Sequence, residues 1–206
     1  GPVKRSHLPG RHVLDMHVDS HTFWKLCESD LEFMSDAQVL ARGFHDDWRH
    51  NPATDPGNPN NKDWNQLEDA TRRSNVKQAL RISTNLAAVD LSVEKGAAPA
   101  GAEADVKKVI DEHIELLAEA EHNGWMVERM IAGWRYAKER NDKKKLHDLL
   151  LPYAQLSEAQ KEKDRRPIRG YEPDATRRAA GELPVPGYVE RLKPFGYRIV
   201  PLSPEH

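Results

Sequence analysis

Apolar residues recur every three to four positions in several stretches of the chain, and segments rich in proline, glycine or charge separate these stretches. This spacing is typical of amphipathic helices. It predicts helices over residues 23–32, 36–49, from 67 or 71 to 89, 104–132, 158–166 and 188–192. Residues 197–200 alternate like a short strand, and residues 91–93 are either a short strand or an extended exit from a helix. We therefore expect a mainly helical protein with short β-strands.

Two of these helices are preceded by a capping-box sequence, in which a serine is followed three residues later by a glutamine, at Ser35–Gln38 and Ser157–Gln160. The apolar stripe of the helix over 36–49 places four side chains near one face: Val39, Leu40, Phe44 and Trp48. The stripe of the following helix predicts buried side chains at Val76, Leu80, Ile82 and Leu86. Residues 51–63 hold three prolines and four asparagines, so we expect a surface loop there.

The pattern occurs twice. The first occurrence has Leu-Ala, His and Trp at Leu40-Ala41, His45 and Trp48, and the second has them at the same mutual spacing at Leu117-Ala118, His122 and Trp125. Further along, Trp64 to Leu67 align with Tyr153 to Leu156, which places Asn75 on Asp164, and residues 85–93 align more loosely with 191–199. A repeat of this kind predicts two related units packed about a pseudo-twofold axis, with equivalent residues on either side of a groove.

The repeat and the composition of the connecting segments predict four regions. Residues 1–22 contain His7, His12, His17 and His21 without apolar periodicity, and we expect an arm or linker rather than a metal site. Residues 23–95 form the first repeat, the Gly- and Ala-rich segment 96–104 is a linker, and residues 105–206 form the second repeat.

Composition excludes several classes of protein. The chain is 38% hydrophobic and 31% charged with a net charge of −2, which predicts a soluble protein without a broad positive field for nucleic acid. No apolar run is long enough for a membrane span. Because Cys27 is the only cysteine, we expect no internal disulfide and a cytoplasmic location. The start at Gly1-Pro2 is typical of a protease-cleavage scar, so we expect a piece of a longer protein.

The second copy carries a dense set of motif residues: His122-x-x-Trp125, Arg129, Gly133-Trp134-x-Tyr136, Asp142, Lys145-x-His147, an apolar-Pro-Tyr turn at 151–153, Leu156 and Arg165. These residues resemble the RyR domain, a module named for its tandem repeats in ryanodine receptors and also found in prokaryotic and phage proteins. The first copy lacks the Gly-Trp-x-Tyr element and the basic loop, and it resembles the divergent partner repeat that accompanies bacterial RyR domains.

The resemblance implies a non-catalytic ligand sensor or interaction module that recognises an adenine-nucleotide-like molecule. It also implies that a fused N-terminal nucleotide-binding or effector domain is regulated by that ligand. We expect no other cofactor and no nucleic-acid or membrane partner.

If the two copies are symmetric, both indoles face one groove, where they can stack on a purine. The histidines lie one helical turn away, and Arg129 can pair with a phosphate. The predicted ligand-binding residues are Trp48, Trp125, His45, His122, Arg129, Asn75, Arg165 and Lys145. The alternative interpretation is that the tryptophans pack in a core and that backbone carbonyls satisfy the histidines.

The sequence shows no nucleophile paired with a base, no phosphate-binding glycine loop and no metal-ligand set, so we expect no enzymatic activity. Two functions remain open. In the first, the groove binds a nucleotide-derived small molecule; in the second, the groove or the Arg-, Pro- and Gly-rich segment 166–183 binds a protein partner or supports oligomerisation.

Overall fold

The structure is a computed structural model that describes residues 36–50 and 56–202. The predicted arm 1–22 with its histidines, the predicted helix 23–32 with Cys27, and the capping residue Ser35 lie outside the described residues. Within the described part the protein is mainly helical with a few short strands, which confirms the predicted mainly helical class with short strands but does not test the predicted pseudo-twofold arrangement.

The first half of the described chain contains two helices and a strand. Helix α1 covers residues 36–50, and a single 3-10 turn, Trp64–Gln66, precedes helix α2, Asp69–Ala87. Strand β1, Leu91–Lys95, follows directly. The predicted helices over 36–49 and from 67 or 71 to 89 and the predicted strand at 91–93 are therefore confirmed.

The second half contains the same series with additions. Helices α3 and α4 span Ala102–Glu112 and Ile114–Ile131, and strands β2 and β3 span Arg135–Tyr136 and Leu146–His147. A 3-10 turn, Tyr153–Gln155, precedes helix α5, Glu158–Arg169. Helices α6, Ala175–Ala179, and α7, Tyr188–Leu192, and strand β4, Tyr197–Pro201, complete the chain.

Strand pairing joins the middle of the described chain to its C-terminal end. Strand β1 pairs with β4 in antiparallel fashion, with Val93 opposite Ile199. Along both strands the buried and less buried side chains alternate, as expected when one face of a sheet covers a core. The short strands β2 and β3 form a separate parallel pair, which the sequence did not predict.

The hydrophobic core is continuous across both halves. Helix α4 packs against α2 and α5, and α5 also packs against α7. Fully buried side chains from these elements and from the sheet include Leu40, Ile82, Leu86, Leu91, Ile110, Leu117, Ile168 and Leu192. The predicted positions Ile82 and Leu86 are buried, while Val76 and Leu80 are partly buried against the same core.

The helix predicted over 104–132 is two helices, because the chain turns at His113. This residue has φ −115° and ψ 18°, outside the helical range. Its ring Nδ1 lies 2.9 Å from the Val109 carbonyl oxygen, which also accepts the backbone N–H of His113. A side chain that bonds the carbonyl four residues earlier competes with the helical ladder and bends it. The first of the two helices begins at Ala102, inside the segment predicted as a linker.

Helix α5 begins at the predicted capping box, in which the backbone N–H of Gln160 donates to the Ser157 hydroxyl oxygen at 3.3 Å. It extends to Arg169, beyond its predicted end at 166, although Pro167 lies inside it. Proline removes one helical hydrogen bond, and burial of the next side chain, Ile168, offsets that loss. The helix ends at Gly170, where φ is 87° and the Gly170 N–H still reaches the Arg166 carbonyl.

Candidate functional site

Each half of the chain holds a histidine and a tryptophan in the same relative geometry. The ring centroids of His45 and Trp48 are 5.7 Å apart with an interplanar angle of 30°. Those of His122 and Trp125 are 5.6 Å apart at 36°. In each pair the histidine and the tryptophan are three residues apart on one helix, α1 or α4. The shared spacing in the sequence therefore produces a shared side-chain arrangement.

Both histidines are buried and bonded to backbone carbonyls. The Nε2 atom of His45 donates to the Lys62 carbonyl oxygen at 2.9 Å, and Nε2 of His122 donates to the Leu151 carbonyl oxygen at 2.8 Å. A carbonyl oxygen only accepts hydrogen bonds, so Nε2 carries the proton in both rings. The histidines therefore hold the loop before each 3-10 turn, as the core-packing interpretation expects.

The two indoles are not sealed in the core. Trp48 is 37% exposed, and Trp125 is half-buried. Two clefts adjoin helix α2, and each contains one of the indoles. The Trp48 cleft, of about 280 Å³, is lined by Ala41, Phe44, His45, Trp48, Asn60, Thr71, Asn75, Gln78 and Arg191. The Trp125 cleft, of about 220 Å³, has walls from α2, α4, α5 and α7 that include Asn75, Gln78, Trp125, Arg129, Lys163 and Arg191.

The clefts share three residues, Asn75, Gln78 and Arg191, and therefore lie side by side. The sequence predicted both indoles on a single groove. The structure places one indole in each of two adjoining clefts, and residues of helix α2 line both clefts.

Arg191 is the charged residue at the junction. Its guanidinium carbon lies 4.2 Å from the centre of the Phe44 ring. Within the described residues, this side chain makes no ion pair and no hydrogen bond. Burial lowers the pKa of Arg191, although the nearby Tyr188, Glu121 and Asp47 act to raise it. A cation withdrawn from water without a counterion is costly unless a ligand supplies one.

Arg129 is the second cation of the Trp125 cleft. Its guanidinium carbon lies 5.8 Å from the Trp125 ring centre and 5.3 Å from that of Trp134. Burial and the neighbouring Arg140 lower the pKa of Arg129. Cation–π contacts rather than carboxylates hold this side chain within the described part of the chain, which leaves its N–H groups for an anion.

The end of helix α4 positions Trp134. Gly133 has φ 85°, and the Trp134 N–H returns to the Arg129 carbonyl at 2.9 Å. These are the features of a Schellman termination, for which glycine is the favoured residue. The Trp134 ring then lies against His147, which also contacts the edge of Trp125. Burial and Arg140 lower the pKa of His147, so its ring is uncharged at neutral pH.

The wall between α2 and α4 is a compact ion-pair network. Arg81 donates from Nη2 to Glu121 at 2.8 Å and also pairs with Glu128. The side-chain amide of Asn85 donates to the same Glu121 carboxylate at 3.0 Å. The single guanidinium offsets one of the two carboxylate charges and holds both carboxylates at the wall of the Trp125 cleft, which Asp164 also lines.

Two amide side chains, Asn75 and Gln78, lie one helical turn apart on α2 at the shared wall. Neither side chain makes a hydrogen bond to another described residue. Each offers a carbonyl acceptor and two N–H donors, the groups that read the edge of a nucleobase.

The remaining predicted site residues lie elsewhere. Arg165 is buried, lines neither cleft, and donates to Glu115, Glu158 and Glu162 at 2.9, 2.8 and 3.1 Å. Lys145 donates to the Ala132 carbonyl at 2.7 Å, where it satisfies the end of helix α4. The clefts thus bring together five of the eight predicted residues, namely Trp48, His45, Asn75, Trp125 and Arg129.

The sequence analysis missed Arg191 and Gln78. No motif marks Arg191, which belongs to a short helix far along the chain. The looser alignment of residues 85–93 with 191–199 includes Arg191 but says nothing about its surroundings. Gln78 follows Asn75 at a spacing of one helical turn, which was the available signal.

The described residues contain neither a metal-ligand cluster nor a candidate membrane span. Over 36–50 and 56–202, no three His, Cys, Asp or Glu side chains cluster in a way that could hold a metal ion. No helix of this part of the chain combines the length and apolar character needed to cross a membrane.

Comparison with known families matches part of the second half. The RyR domain family matches residues 102–171, from the start of α3 to just beyond α5. No curated protein matches the chain. The matched segment includes His122, Trp125 and Arg129 together with the Schellman termination at Gly133. Residues 102–171 of this chain are therefore similar to the RyR domain.

Proposed function

We propose that this chain is a non-catalytic sensor module that binds an anionic, nucleotide-derived small molecule in the Trp48 and Trp125 clefts. The indoles stack on aromatic parts of the ligand, and Arg191 and Arg129 receive its negative charge. Ligand binding in the cytoplasm then regulates a domain attached to this module. The proposal involves no nucleic-acid or membrane partner.

The unpaired charge of Arg191 carries this proposal. Arginine binds phosphate through two parallel N–H donors, and such bonds strengthen when water is excluded. Arg191 is held against Phe44 at the point where both clefts meet, with an indole in each cleft. Stacking on an aromatic side chain contributes about 1–3 kcal/mol per base, so two indoles and two arginines suit an anionic aromatic ligand.

We further propose that the two halves are copies related by a pseudo-twofold axis. The matching geometry of the His45–Trp48 and His122–Trp125 pairs supports this relation. The register of β1 with β4 also supports it, because a twofold axis pairs equivalent strands in antiparallel fashion about their midpoints. The midpoints here are Val93 and Ile199, which the looser sequence alignment also places on each other.

The first test is thermal unfolding in the presence of a panel of nucleotides. A ligand at a hundred times its dissociation constant adds about 2.7 kcal/mol to the unfolding free energy. Arg191→Met, Trp48→Ala and Trp125→Ala should each reduce or abolish the stabilisation while the unliganded protein stays folded. Tyr136→Ala is the matched control, because this aromatic residue is 48% exposed and lines neither cleft. Unfolding of the unliganded tryptophan variants would support core packing instead.

The second candidate function is that of an interaction module. Four apolar side chains at and after the end of α4 are exposed, namely Val127, Met130, Ile131 and Tyr136. If they contact a partner or a second copy, association should depend on protein concentration and should be lost in Met130→Lys. Such association without a thermal shift by any nucleotide would favour this function over the sensor.

A further inference from the structure

The arrangement of the two indoles limits how a ligand can stack on them. Trp48 lines only the first cleft and Trp125 only the second. A single base sandwiched between two indoles needs both rings on the same cleft. The observed arrangement instead offers two separate stacking surfaces, each beside a buried histidine that fixes its position.

The centre of the site has different chemistry from its two ends. The shared residues, Asn75, Gln78 and Arg191, are all polar, and Arg191 lies against Phe44 without an ion pair or hydrogen bond to a described residue. A ligand that occupies both clefts must pass this point. Negative charge is therefore favoured in the middle of the ligand and aromatic groups at its ends.

The volumes of the two clefts also favour a ligand that occupies both. Pockets for small molecules usually have volumes of about 300–1,000 Å³. The Trp48 cleft, at about 280 Å³, and the Trp125 cleft, at about 220 Å³, each fall below this range. Taken together they reach it, so a ligand that spans both clefts makes better use of the site than one confined to either.

We propose that the ligand is a dinucleoside phosphate, with one base stacked on Trp48, the other on Trp125, and the linking phosphate on Arg191. This inference rests on the proposed function and specifies its ligand class. The amides of Asn75 and Gln78 lie beside the phosphate, where they contact the ribose and base edges. Arg129 adds positive charge at the Trp125 end.

The inference is tested by isothermal titration calorimetry with adenosine monophosphate and three two-base probes: the dinucleoside monophosphate ApA, cyclic di-AMP and NAD, the last with a nicotinamide second base. Guanosine monophosphate, GpG and cyclic di-GMP form the guanine set. Joining two binding groups raises affinity by about 10²–10⁴-fold when both sites can be occupied at once. At least one two-base probe should therefore bind about 100-fold more tightly than its mononucleotide, with one molecule per chain.

Single substitutions test the two stacking surfaces and the central arginine of the site separately. Trp48→Ala and Trp125→Ala should each reduce the affinity for the best two-base probe to about that of the mononucleotide, and Arg191→Met should weaken every phosphate-containing probe. Tyr136→Ala should bind like the wild type. Circular dichroism of each variant verifies that the fold is retained.

Three results would overturn the inference. If mononucleotides bind and no two-base probe binds more tightly, the two-base ligand is wrong while the sensor function stands. If a two-base probe binds tightly but depends on only one indole, the placement of its bases is wrong. If no nucleotide in either set binds, both this inference and the proposed function fail.

Discussion

The Nδ1 atom of His122 lies 3.4 Å from a carboxylate oxygen of Asp164, while Nε2 of the same ring donates to the Leu151 carbonyl. Burial of the ring acts to lower the pKa of His122, but the hydrogen bonds to Asp164 and Leu151 outweigh burial, and the pKa is raised. The pair joins α4 to α5 inside the segment that matches the RyR domain family, next to Trp125.

This pair makes the stability of the fold depend on pH. Since the folded-state pKa of His122 lies above the unfolded value of about 6.5, its contribution is fully present below that pH. The contribution is lost as the pH rises through the raised folded-state pKa. We expect the unfolding free energy from urea denaturation to decline as the pH rises above about 6.5 and through the raised folded-state pKa, and Asp164→Asn to flatten this decline.

His147 provides an internal control for that measurement. Its folded-state pKa is lowered, by burial and by Arg140, so its contribution changes only below about pH 6.5. The difference between the wild type and Asp164→Asn above this pH therefore reports on His122. A decline of the same size in both proteins would contradict the assignment.

Gly124 allows Arg81 to cross helix α4. A Cβ atom at position 124 would lie 2.3 Å from Cδ of Arg81, which is in the middle of that side chain. Alanine normally favours a helix over glycine by about 1 kcal/mol. Here we expect Gly124→Ala to destabilise the protein by about 1–3 kcal/mol, because Arg81 must leave Glu121 and Glu128.

A double-mutant cycle tests this cause. In an Arg81→Met background the ion pairs are already absent, and Gly124→Ala should then be neutral or stabilising in chemical denaturation. An equal loss in both backgrounds would mean that the cost comes from another contact of Gly124.

Two arginines should respond oppositely to replacement by methionine. Arg165 is bonded to Glu115, Glu158 and Glu162, so Arg165→Met should lower the midpoint of thermal unfolding. Arg191 has no such partner within the described residues, so Arg191→Met should leave the midpoint unchanged or raise it. Functional groups commonly reduce stability in this way. The effect of a nucleotide on the unfolding midpoint should distinguish the same two variants. Of the two, only Arg191→Met should remove the increase in midpoint that the nucleotide produces.

Neighbouring positions of α1 should differ greatly in their effect on stability. Leu40 has no exposed surface, whereas Val39 is 58% exposed. We expect Leu40→Ala to cost about 2–5 kcal/mol in urea denaturation. Val39→Ala should change stability by less than about 0.5 kcal/mol. Similar losses at both positions would contradict the placement of α1 on the core.

The sequence by itself determined the features that depend on near neighbours. Helical periodicity located α1, α2, α5 and α7, because side chains three and four residues apart share one face. The Ser157 capping box fixed the start of α5 and Gly133 the end of α4, since each acts on a few adjacent backbone groups. The shared His-x-x-Trp spacing likewise predicted that each histidine ring lies beside a tryptophan ring on the same helix face.

Only the tertiary structure decided which of these groups meet. Strand β1 pairs with β4, which lies about half the chain length away, and residues of α2 line both the Trp48 cleft and the Trp125 cleft. Whether an arginine is neutralised depends on carboxylates brought from distant elements, which separates Arg165 from Arg191. Periodicity records which face of a helix is apolar, but the charge and solvent around one side chain are set by every element that packs beside it.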